Sequence, residues 1–105
     1  MQKDEDQENY TLPDNEEQYF LRLFVTGASP NSSRAISNIK SICESKLGGK
    51  YELEIIDVYQ QPLMAETEQI IALPLLIKKF PLPERRFIGD LSNTEKVLKG
   101  LGLID

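Results

Sequence analysis

The stretch Leu23–Ala35, "LFVTGASPNSSRA", decides how the rest of the chain is read. It continues a run of strand formers that begins at Tyr19 and extends to Thr26. Leu21, Leu23 and Val25 share one face of that run, and Phe20, Arg22 and Phe24 share the other. Both faces are mostly apolar, as expected of a strand covered on two sides. Gly27 permits a turn, Ser29 is a good N-cap, and Pro30 suits the first helical position. Ala35, Ile36, Ile39, Ile42, Cys43 and Leu47 then recur at helical spacing until Gly48-Gly49 stops the helix.

A second strand, "YELEIIDVY", spans Tyr51 to Tyr59, so the opening unit is a right-handed βαβ with parallel strands. Pro62 opens a shorter helix carrying Ala65, Gln69, Ile70 and Leu73, which Pro74 terminates. "LLIKKF" (Leu75–Phe80) and "RRFIGD" (Arg85–Asp90) pair as a hairpin across Pro81-Leu82-Pro83-Glu84. Ser92-Asn93-Thr94-Glu95 reads as a capping box opening a last helix through Val97, Leu98 and Leu101. The order βαβαββα is that of the thioredoxin-like α/β fold, a sheet between helices on both faces in three layers. Leu73-Pro74 enters the third strand where that fold commonly keeps a cis proline, and the sequence leaves the isomer open. At the strand–helix junction, redox members of the fold carry Cys-x-x-Cys. Here the residues are Ser29-Pro30-Asn31-Ser32, whose hydroxyls cannot form a disulfide. They read as a helix cap.

Composition narrows the function further. The 105 residues suit one domain, and 40% hydrophobic with 28% charged residues is ordinary for a globular protein. No apolar run approaches the ~20 residues that span a bilayer, and the polar start predicts no targeting peptide. A cytoplasmic location with no membrane contact is the expectation. There is no histidine, which removes imidazole-activated serine or cysteine nucleophiles and weakens any metal site. The net charge of −5 is unevenly placed: residues 1–18 hold seven acids against Lys3, and residues 19–105 come to +1. The expected organisation is an acidic, disordered extension over 1–18 and one folded domain over 19–105. So small a basic excess argues against nucleic acid. Neither a Walker pattern nor GxGxxG is present, so no nucleotide cofactor is expected.

Three runs carry a resemblance: "LFVTGASPNSSRAISNI", "IIDVYQQPLMAE" and "ALPLLIKKFPLPERRFIGDLSNTEKVLKGL". From about Tyr19 to Leu103 the chain resembles the KaiB family of circadian-clock proteins, and the G-x-x-P-N-S-x-R-A and P-x-P-x-R-R-x-I-G-D-L-S patterns together are specific. The resemblance implies a non-catalytic, KaiB-like adaptor that binds a KaiC-type RecA-like ATPase and modulates its signalling. It also implies a homo-oligomer, dimer or tetramer, when unbound, and fold switching in the C-terminal half. The sequence departs from the family at Ala72-Leu73-Pro74-Leu75, where members often read A-T-P-T. It departs again at Gly100-Leu101-Gly102, often G-L-D, and in carrying its acidity ahead of the domain. Two other readings stand beside the adaptor: a stress-response interaction module acting apart from a clock, and a thiol oxidoreductase using Cys43.

The candidate residues follow. Arg34, Lys78, Lys79, Arg85 and Arg86 are a basic set that either forms a solvated, aggregation-resistant surface or docks an acidic partner; the resemblance favours docking. Pro74, Gly89, Asp90, Gly100 and Gly102 are the expected fold-switch positions. "LKGLGLI" alternates as a strand while also continuing a helix, so Gly100→Ala with Gly102→Ala is expected to favour the helix. Cys43, on an apolar helix face, is expected to be core. Asp57 and Asp90 end strands and read as capping or turn residues. No catalytic or metal-binding residue is assigned.

Overall fold

A computed structural model describes residues 18–105; the acidic extension, expected to be disordered, lies outside them apart from the exposed Gln18. The elements are β1 (Tyr19–Val25), α1 (Pro30–Lys46), β2 (Tyr51–Asp57), α2 (Pro62–Thr67), β3 (Leu75–Phe80), β4 (Arg85–Ile88) and α3 (Thr94–Gly100). The four strands form one sheet in the order β2-β1-β3-β4. β1 pairs parallel with β2, Leu23 opposite Ile55, and antiparallel with β3, Leu23 opposite Leu76. β4 returns antiparallel to β3 with Leu76 opposite Phe87.

The period-two split of β1 holds. Leu21, Leu23 and Val25 join Ala35, Ile39, Ile42 and Cys43 of α1 and Val97, Leu98 and Leu101 around α3 in the larger core. Phe24 turns the other way, to Ile56, Leu75 and Ile77, with Met64 of α2, Ile70 and Leu73 packed over them. The helices therefore lie on both faces, α1 and α3 on one and α2 on the other. This is the three-layer α/β arrangement the element order predicts.

Three local expectations change. α2 stops at Thr67, short of Pro74, because Gln69 takes a φ of 57° that no helix accommodates. The cap of α3 is Asn93, whose side chain accepts from the Lys96 amide at 3.1 Å, and not Ser92. Ser92 instead donates its own amide to the Asp90 carboxylate at 3.0 Å, which tightens the turn before the helix. The Leu73-Pro74 bond is cis, as are Phe80-Pro81 and Leu82-Pro83.

The third change concerns the glycines near the C-terminus. α3 ends at Gly100 and does not run on to Ile104. A Cβ on Gly100 would fall 2.2 Å from Cε2 of Phe87, so this glycine is there for a close approach of helix to β4. Gly102 has a φ of +80°, left-handed backbone in which an alanine is strained. Helix propensity alone makes Gly→Ala a gain of about 1 kcal/mol, whereas overpacking costs about 1–3 kcal/mol. Contact wins, and the sequence expectation is reversed. Gly100→Ala should lower stability in denaturant titration, and Gly102→Ala should lower it by about 1–2 kcal/mol more. Phe87→Leu in the Gly100→Ala background should recover part of the loss; a Gly100→Ala variant as stable as the parent would contradict the contact.

Candidate functional site

The junction after β1 is a closed hydrogen-bond cluster. The Ser29 side chain accepts from the Ser32 amide at 3.2 Å, and its hydroxyl donates to the Ser32 hydroxyl at 2.8 Å. The Thr26 amide donates to the same Ser32 oxygen at 3.1 Å. Ser32 has no exposed surface. Ser29 and Ser32 serve the cap, as the sequence reading has it.

Cys43 is fully buried among Ala35, Ile39 and Ile42. Burial, and secondarily the charge of Glu44, pushes its thiol up to about 11. A thiol so placed stays protonated at neutral pH and is a poor nucleophile. Asp57 ends β2 and accepts from the Tyr59 amide at 2.9 Å, a turn role.

The basic set does not form one patch. Arg34 stands on α1, bonded to Asn31 and, at 3.2 Å, to Asp90. Lys78 is only 4% exposed, so it lies within the fold and not on an open face. Lys79 and Arg86 converge on Glu68, at 3.0 Å and 3.6 Å, and Arg22 of β1 reaches the same carboxylate at 3.0 Å. Arg86 also donates to the Glu68 carbonyl at 2.7 Å, and both Lys79 and Arg86 approach Glu84. Arg85 is exposed and makes no ion pair among the described residues.

Glu68 is the residue at the centre of this cluster, and sequence reasoning missed it. It follows the last turn of α2, where the helix dipole disfavours an acid; that misplaced charge was the available signal. Three cations from β1, β3 and β4 account for it. Burial works to raise its carboxyl, but the hydrogen bond and charge of Lys79, with the charges of Arg22 and Arg86, outweigh this and hold it below its ordinary value. The loop after α2 is thereby tied to three strands.

The switch candidates fall in two places. The Gly89 amide donates to the Pro74 carbonyl at 2.9 Å, so these two are neighbours. Asp90, beside them, accepts from Ser92 and Arg34, which together hold its carboxyl below its ordinary value. Its backbone carbonyl accepts from Asn38 of α1 at 2.8 Å. Gly100 and Gly102 lie at the other end of α3. Between Arg86, Ile88, Asp90, Asn93 and Lys96 there is a shallow cavity of about 380 Å³, at the open side of β4. Among the described residues no helix is long and apolar enough to cross a membrane.

Comparison with known proteins gives a consistent result. A model of the KaiB domain matches residues 22–103. "Circadian clock protein KaiB3" of Synechocystis sp. is 55% identical over 84 residues, covering 80% of this chain and 82% of that protein. "Circadian clock oscillator protein KaiB" of Synechococcus elongatus is 51% identical over 86 residues, covering 82% and 84%. Among solved structures, the N-terminal domain of Synechococcus elongatus SasA superposes with a TM-score of 0.69 at 21% identity, over 94% of this chain and 97% of that domain. Mitochondrial thioredoxin 3 of Saccharomyces cerevisiae follows at 0.67 and 13% identity, over 84% and 80%. These two likenesses establish the thioredoxin-like fold.

Two measurements test the site. Glu68→Gln should cost about 1.5–3 kcal/mol of stability at neutral pH, the range for hydrogen bonds to charged groups. Because the folded carboxyl titrates below its unfolded value, that contribution is present above the unfolded pKa and is lost as pH falls through the folded one. The gap between parent and variant should therefore close on acidification; a gap unchanged by pH would assign the loss to packing. Cys43 should resist iodoacetamide at pH 8 until denaturant is added, and ready alkylation of the folded chain would remove it from the core.

Proposed function

The chain belongs to the KaiB family, and from this we propose that it is a non-catalytic adaptor that binds a KaiC-type RecA-like ATPase and modulates its signalling. The observation that carries this reading is the match of the KaiB domain across residues 22–103, with relatives above 50% identity named as circadian clock proteins. The geometry agrees with binding in place of chemistry. The strand–helix junction is spent on capping, and the one thiol is buried. The exposed, charged groups of the β4 edge are cations.

Arg85 and Arg86 at the open edge of the sheet, with Lys79 beside them and Arg34 on α1, are the docking groups of this proposal. Lys78 contributes from within the fold, as the buried residue of β3 that pairs with Arg85. Arg85 makes no ion pair among the described residues and Arg34 only an exposed one, worth about 0–1 kcal/mol, so these two meet an acidic partner at little cost, whereas Lys79 and Arg86 have first to loosen their hold on Glu68. The protein acts in the cytoplasm and rests as a homo-oligomer in the unbound state.

The proposal extends to a change of fold at Pro74, Gly89, Asp90, Gly100 and Gly102. Leu91, next to Asp90, has a φ of 63° although it is bulky and buried. Residues held in such a conformation cost about 1–3 kcal/mol each and persist only where their surroundings enforce it. The turn from β4 to α3 thus stores strain at the start of the segment that would rearrange.

The test is a pull-down from native lysate followed by titration of the recovered ATPase. Arg85→Glu should weaken binding at least several-fold while leaving stability within about 1 kcal/mol, since the exposed side chain makes no ion pair among the described residues. The difference should shrink as salt rises. Retained affinity in Arg85→Glu would remove the docking role of the β4 edge, and insulin reduction by the purified chain would overturn the non-catalytic reading.

A further inference from the structure

The sheet has two open edges of opposite charge. β2 presents Glu52 and Glu54, both exposed, with Glu44 of α1 alongside. β4 presents Arg85 and Arg86, with Lys96 of α3 on the wall of the adjoining cavity. Residues 1–17 carry Asp4, Glu5, Asp6, Glu8, Asp14, Glu16 and Glu17 against Lys3 alone.

The topology delivers this segment to the basic edge. The chain enters the sheet at Tyr19, opposite Tyr51 on one side, with Phe20 opposite Phe80 on the other. Phe80 ends β3 where the hairpin turns, and Arg85 begins β4 opposite Lys78. Tyr19 and Arg85 therefore stand at the same end of the sheet, two strand spacings or about 10 Å apart. Seventeen extended residues reach roughly 55 Å, so distance is no obstacle. The β2 edge is nearer, one strand spacing from Tyr19, but its carboxylates repel the segment. Tethering at this range gives an effective concentration on the order of millimolar, enough for a weak electrostatic contact to be populated.

We propose that the acidic segment 1–17 lies against the Arg85–Ile88 edge of β4 in its own chain, its carboxylates facing Arg85, Arg86 and Lys96. The segment then neutralises the cations and covers the open backbone of an edge strand that would otherwise template association. An acidic partner docking at this edge has first to displace it. That consequence rests on the docking proposal above; the contact itself is read on the free chain, so either can fail alone.

The experiment uses the full chain bearing Gln7→Cys and a nitroxide label, which the buried Cys43 does not take up. Loss of amide signal intensity is then measured by NMR. The expected result is loss at Arg85–Ile88 and Lys96, with the β2 edge unaffected. The loss should disappear when Asp4, Glu5, Asp6 and Glu8 are changed together to Asn or Gln. It should also disappear at about 1 M salt, where the Debye length is about 3 Å, and in Arg85→Ser. Uniform loss, or loss confined to residues beside Tyr19, overturns the proposal. So does loss that appears in an isotope-labelled chain without a nitroxide mixed with nitroxide-bearing chains, because the occupant would then be a second copy.

Discussion

Leu21, Leu23 and Val25 turn to one side of β1 and Phe24 to the other, and none of the four keeps more than 3% of its surface. Withdrawing one such side chain from water is worth about 1.5–3 kcal/mol, so a strand that is dry on both faces dictates what surrounds it. α1 and α3 must share one face because Leu21, Leu23 and Val25 need a broad cover. The opposite face is served by the short α2 and the loop after it, through Met64, Ile70 and Leu73. Strand pairing follows the same constraint. β1 is flanked on both sides, by β2 and β3, which leaves the two edges to strands that carry charge.

That constraint also explains what was legible in the sequence. The period-two pattern of β1 and the helical spacing from Ala35 to Leu47 record one-sided or two-sided burial directly, and both elements fall where the pattern puts them. The junction at Ser29 was legible because a cap is a local event between Ser29 and Ser32. The same locality made the α3 start ambiguous. Ser92 and Asn93 are both competent caps, and only the prior claim of Asp90 on the Ser92 amide decides for Asn93. Lys78 was unreadable for another reason. In "LLIKKF" the two lysines look alike, yet one alternation places Lys78 inside and leaves Lys79 to meet Glu68. Glu68 itself gathers partners that are 46, 11 and 18 residues away, and no local pattern encodes such a meeting.

The candidate site shows how a fold can keep its frame while its chemistry sits elsewhere. In a thiol-bearing relative, the N-terminus of the first helix lowers the pKa of an exposed sulfur. Here the equivalent hydroxyls are drawn into one another and into the Thr26 amide, and the one cysteine lies further along the helix in the core. Exposed charges stand instead at the sheet edges. Their arrangement is polarised, acidic at β2 and basic at β4, although residues 19–105 are nearly neutral in sum. Net charge therefore understated the surface, because it averages over two edges that face opposite ways.

Beyond β4 the chain is held by Leu91, Val97, Leu98 and Leu101 in the core and by hydrogen bonds that reach across the sequence. The Tyr19 hydroxyl donates to the Leu101 carbonyl at 2.8 Å, and Asn38 fastens the Asp90 carbonyl at the same distance. Gly89 is tied to Pro74, and Gly100 admits the Phe87 ring. Within the segment itself, local preference is divided: glycines interrupt a short helix, and Leu91 sits in a left-handed conformation it would not choose alone. Its secondary structure is thus imposed by β1, α1 and the loop before β3 more than by its own residues. Total stability is about 5–15 kcal/mol for an ordinary domain, and a hydrogen bond contributes about 0.5–1.5 kcal/mol. Loss of two or three of these ties would remove much of what selects this packing over another. Tyr19, Asn38 and the Pro74 carbonyl are therefore the points at which β1, α1 and the loop before β3 hold this segment in place.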